Sequence, residues 1–182
     1  MMSERVSVQI PSLPTSIEEF LDLRDRVATT PEGGAATMVV ALLAYAEAEG
    51  LGQECLACAV GSSRLVDGAQ GYRGRQLSNA SLQRICTQLR GRDYLLRSYV
   101  GGTEPEDGYQ LGSPPYWIEC LRNPHSGDPA SGRCKVFVAS SGADSPRPVT
   151  VAVNENGIWK AMEWSSLVVG VRPPMEDAHD EL

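Results

Sequence analysis

The chain has 182 residues, 42% of them hydrophobic, a formal net charge of −7 and a sequence pI of about 4.9. That length supports one core, the acidity opposes general attraction to phosphate backbones, and no apolar run approaches the ~20 residues a membrane helix needs. Five sparsely spaced cysteines, an odd number, read as free thiols of a reducing compartment, and the first eight residues lack the apolar core of a secretory signal, so a cytoplasmic protein is expected.

Ser16, followed three residues later by Glu19, predicts a capping box for a first helix with Ile17, Phe20, Leu21 and Val27 on one face. Thr30-Pro31 opens a second, with Thr30 as cap and Pro31 at the first helical position. Met38, Val39, Leu42, Leu43 and Ala46 give it an apolar face wide enough for the core, ending near Gly50. Leu51 to Val60 predicts a short third helix carrying Cys55-Leu56-Ala57-Cys58. That pair reads as core packing, since a zinc site would need Cys86, Cys120, His125 or Cys134 to converge on it. Residues 61–76 read as loop, and a fourth helix runs from Ser78 or Asn79 to Leu89, stopped by Gly91.

After Arg92 the pattern changes to alternation. Strands are expected near Tyr94 to Val100, Tyr116 to Arg122, Arg133 to Ser140, Val149 to Asn154 and Ile158 to Trp164, with Leu167 to Val171 a sixth candidate. Asn156-Gly157 is a hairpin signal. Helices followed by strands predict a single α+β domain over residues 1–174, with N-terminal helices packed on one face of a C-terminal antiparallel sheet; a cystatin-like or NTF2-like layout fits this order. Residues 175–182 are expected to form an acidic, flexible tail. It ends in His179-Asp180-Glu181-Leu182, which together with Asn79-Ala80-Ser81 imitates secretory-route signals that require a signal peptide.

The net charge hides a division along the chain. Residues 1–63 hold three arginines against nine acids, residues 64–97 seven arginines against two, and residues 98–182 six basic side chains against twelve acids. The middle block, Arg64, Arg73, Arg75, Arg84, Arg90, Arg92 and Arg97, either neutralises acidic helices of the same fold or forms a basic patch for an anionic partner. Gly71-Tyr72-Arg73-Gly74 matches the G-x-x-G loop of KH domains, but no direct helix–loop–helix surrounds it, and nucleic acid is the weakest of the partner readings.

Catalytic signatures are missing. His125 lies in a turn-rich loop, and a Ser-His-Asp arrangement built from Ser140, Ser141 or Ser145 with His125 and Asp144 would lack a nucleophile elbow. No pattern names a cofactor or a metal. The densest polar cluster is Ser140 to Pro148, where Asp144 can pin its own loop, directly or through Arg147. The ligand or interface candidates are Tyr99, Asp144, Arg147, Trp164 and Ser165.

Thr30 to Ala36, Ser98-Tyr99-Val100-Gly101-Gly102-Thr103, Ser141 to Pro148 and Trp164 to Val171 resemble segments of an uncharacterised bacterial family, a domain of unknown function, along most of the chain. The resemblance implies a bacterial cytosolic setting and carries over no catalytic residue, cofactor or ligand. The functional expectation is a non-catalytic protein-interaction or assembly module, self-associating through basic and acidic surfaces. The alternative is a small-ligand or enzymatic pocket between helices and sheet.

Overall fold

The computed structural model describes residues 3–175. Strand β1 (Glu4–Ile10) is followed by helices α1 (Ile17–Val27), α2 (Pro31–Glu47) and α3 (Glu49–Ala59), then a hairpin of β2 (Val66–Tyr72) and β3 (Arg75–Gln76). Helices α4 (Asn79–Leu89) and α5 (Tyr94–Arg97) lead to β4 (Tyr116–Arg122), β5 (Arg133–Val138), β6 (Arg147–Val153) and β7 (Trp159–Glu163). The expected α+β class holds, with helices on one face of a five-stranded antiparallel sheet ordered β1-β4-β5-β6-β7.

Helix α2 is the axis of the fold. Thr30 Oγ1 accepts from the Gly33 amide and Pro31 takes the first turn, as the sequence predicts. Every residue from Pro31 to Tyr45 is buried, because one side of the helix lies along the sheet while α1 and α3 cover the other. An all-round apolar helix is stable only in such a sandwich. Close approach to the sheet needs Gly34: a Cβ there would sit 2.7 Å from Trp159 Cβ and 2.9 Å from its carbonyl oxygen.

Alternation along the strands divides the sheet, with Thr150, buried between Val149 and Val151, the exception. Ile118 and Cys120, Cys134, Val136 and Val138, Val149 and Val151, and Trp159 and Ala161 point inward and are buried. The edge beyond β7 is occupied by the exit of α3, where Val60 bridges Ala161 in parallel and the Gly61 amide donates to the Ala161 carbonyl.

Three local expectations are corrected, and one element was not foreseen: residues 4–10 form β1. The 61–76 loop contains the β2–β3 hairpin, whose turn places Arg73 at φ 51, and Gly71-Tyr72-Arg73-Gly74 is the end of β2 with that two-residue turn rather than a loop between helices. Tyr94 to Val100 is the one-turn helix α5 and a following turn, because its buried residues Leu95, Leu96, Tyr99 and Val100 are spaced helically. Leu167 to Val171 begins in a 3-10 turn, Ser165–Val168. The β6–β7 hairpin forms as expected but with a longer loop: Asn154 Oδ1 accepts from the amides of Asn156 and Ile158, and only Gly157 (φ 79) adopts the left-handed conformation.

Candidate functional site

The segments Ser98–Thr103, Ser141–Pro148 and Trp164–Val171, far apart in the chain, meet at a notch in the sheet. Strands β4 and β5 pair over a short stretch, Leu121 with Phe137 and Cys120 with Val138, extended by one bond from the Ala139 amide to the Glu119 carbonyl. Residues 98–102 fill the notch: Val100 bridges Ile118, the Gly101 amide donates to the Trp117 carbonyl (2.7 Å), and the Ser141 amide donates to the Ser98 carbonyl (2.8 Å). Hydroxyls knit the seam, with Ser140 Oγ donating to Ser98 Oγ (2.8 Å) and Thr103 Oγ1 lying 3.0 Å from Ser141 Oγ. A surface cleft of about 240 Å³ opens here, lined by Ser98, Gly101, Gly102, Glu119, Ser140 and Ser141.

The five candidate residues take different roles around this seam. Arg147 donates from Nη1 to the carbonyls of Ser166 (3.0 Å) and Val169 (2.9 Å) and from Nη2 to that of Gly170 (3.0 Å). Tyr99 donates to the Leu167 carbonyl (2.7 Å), and burial pushes its hydroxyl up to about 12 although Arg147 beside it pulls the other way. Tyr99 and Arg147 therefore hold one turn of chain from two sides. Trp164, at the start of that turn, is buried, whereas Ser165 is exposed. The expected Asp144–Arg147 contact gives way to an exposed pair of Asp144 with Arg172 (3.5 Å), because the arginine's donors are already engaged by carbonyls. His125 lies exposed in the β4–β5 turn, at the other end of β5 from Ser140 and Ser141.

The arginine block is also divided. Arg97 donates to the carbonyls of Tyr109 and Gly108, and Arg75 binds Asp67 (2.7 Å) and the carbonyls of Ser62 and Leu65. Arg64 lies 3.9 Å from Glu163, and the Arg73 guanidinium sits 5.1 Å from the centre of the Tyr72 ring. Arg84, Arg90 and Arg92 are exposed on α4 and its exit. Acidic side chains thus face only Arg75 and Arg64 of this block, Arg97 is spent on backbone carbonyls, and the α4 arginines remain as a surface.

Two charged groups escape the sequence reading. Glu32, only 3% exposed in the first turn of α2, accepts from Arg122 Nε, and Arg122 Nη2 also reaches Glu4 (3.0 Å). The hydrogen bond to Glu32 is the main reason the Arg122 guanidinium holds its proton more tightly than usual. A lone acid inside a continuous apolar helix was the available signal. Lys160 Nζ donates to the Cys58 carbonyl at the end of α3 (2.7 Å), a carbonyl that Arg24 also binds, and burial lowers the lysine to about 8. Cys55 and Cys58 are buried free thiols, and burial raises both, Cys55 to about 12. Among the described residues no cluster of three His, Cys, Asp or Glu side chains has metal-binding geometry.

The outward face of the sheet has a different character. In register across three strands stand Leu121, Phe137 and Pro148, all half-buried and outside the hydrophobic core, with Arg5 beside Leu121 on β1. Trp117 stands 46% exposed on the same face. Around them lie Lys135, Arg133 and Glu119, the last bound by Arg5 Nη1 at 2.8 Å.

The family described as a domain of unknown function (DUF6935) matches residues 12–175, which include the notch and the outer face but leave out β1. No curated protein and no solved structure matches the chain.

Proposed function

We propose that this chain, which belongs to the DUF6935 family, is a non-catalytic protein-interaction or assembly module of the bacterial cytoplasm that binds through the outer face of its sheet. One observation carries the reading: an apolar row, Leu121, Phe137 and Pro148, flanked by the exposed Trp117 and bordered by Arg5, Glu119 and Lys135. Contiguous apolar surface rimmed by charge marks interaction sites, and tryptophan and arginine are favoured anchors. Arg84, Arg90 and Arg92 add an electrostatic surface that would steer an acidic partner or another copy, chiefly through the association rate. Free thiols and the resemblance to a bacterial family support the compartment. The test is a photo-crosslinking residue at position 117 in living cells. Discrete protein adducts that vanish with Phe137→Asp are expected, and their absence sinks the reading.

The notch supports a second reading, a small-ligand or enzymatic pocket, because hydroxyls of Ser98, Ser140 and Ser141 and the Glu119 carboxylate gather at one cleft. Native mass spectrometry of the freshly purified chain tests it: a bound small molecule displaced by Ser140→Val favours the pocket.

A further inference from the structure

Strand β1 is bonded on one side only. It pairs with β4 through seven consecutive residues, and among the described residues no other backbone group bonds to Glu4–Ile10. Edge strands ordinarily defend themselves with proline, bulges, short length or charges along the strand. This one has an uninterrupted register, and from Val6 to Ile10 it carries no charge, proline or glycine. Its inward-facing Val6 and Val8 are only half-buried, although Ile10 on the same face is fully buried. The core is thus left uncovered along this edge.

Resting on the interaction reading above, we propose that β1 pairs antiparallel with β1 of a second copy of this chain about a two-fold axis at Ser7. The strand is complementary to itself in that register, which is the one that pairs all seven residues. Val6 meets Val8 of the second copy on the inner side, Arg5 meets Gln9 on the outer side, Glu4 meets Ile10, and Ser7 faces its own equivalent. No like charges oppose. Each valine pair covers apolar surface that a single copy leaves half exposed, and the free amides and carbonyls of both edges find partners. An isologous contact of this kind joins two five-strand halves into one ten-strand sheet, with the Trp117 faces of both copies on the same side.

Sedimentation of the 19.6 kDa chain across a concentration series tests the pairing. The expected wild-type result is a dimer at about 0.1 mM that dissociates on dilution. Ser7→Lys and Ser7→Glu each place like charges face to face, so each alone should weaken the dimer by about fivefold, and an equal mixture should restore it. Unchanged far-ultraviolet circular dichroism confirms that the variants fold. A wild-type chain monomeric at that concentration overturns the proposal, as does a dimer that neither variant weakens or that the mixture fails to restore. Neither result touches crosslinking at Trp117, so the pairing and the broader interaction reading fail separately.

Discussion

The two faces of the sheet obey the same alternation and reach opposite ends. On the inner face small residues let α2 lie directly on the strands, so that Gly34 touches Trp159 and a whole helix disappears from solvent. On the outer face Phe137, Leu121 and Pro148 make a comparable apolar row without a covering layer, and Trp117 stands out into water. Apolar side chains are continuous on the inner face and confined to that short row among Arg5, Glu119, Arg133 and Lys135 on the outer one. Only the inner one is packed by the chain itself; on the interaction reading proposed above, the outer row is left for a partner.

Three substitutions press on the contrast. Gly34→Val should be the most damaging, costing more than about 3 kcal/mol, because the added carbons meet backbone and Cβ atoms of Trp159 that cannot swing away. Thermal unfolding should show the loss, or the variant should fail to accumulate. Arg122→Met comes next at about 3 kcal/mol, since it strands the Glu32 carboxylate in the core. Adding Glu32→Gln to it should recover part of that stability, which a urea titration of single and double variants would measure. Trp117→Ser should change stability by less than about 1 kcal/mol, because its side chain is already half in water. A large loss for Trp117→Ser would mean the outer face is structural after all and erase the distinction between the faces.

Helical parts of this fold were legible because their signals are local. Ser16, Thr30 and Ser78 each cap the helix that follows, and α2 shows its burial in composition alone. Even there a detail differs, for the Glu19 carboxylate accepts from Thr15 rather than returning to the Ser16 amide. Strand β1 has a plain period of two, Val6, Val8 and Ile10, yet its partner β4 lies more than a hundred residues on, and a lone short strand has no meaning until that partner is known. Tyr94 to Val100 misled through composition: aromatic and branched residues suggested sheet, while burial at Leu95, Leu96 and Tyr99 follows a helical turn. Of the site, Tyr99 and Arg147 were visible as individuals. Their common task was not, because it depends on carbonyls of residues 166–170, and a carbonyl leaves no mark in a sequence.

The bridge between Val60 and Ala161 has a consequence for growth. A sheet open at both margins can add strands from further molecules indefinitely, which is how fibres begin. Here the exit of α3 occupies the margin beyond β7, so strand addition has one direction in which to proceed. If β1 pairs as proposed, that margin is taken and the five-stranded sheet has no further edge to extend. The proposed contact would therefore end at a pair on this sheet.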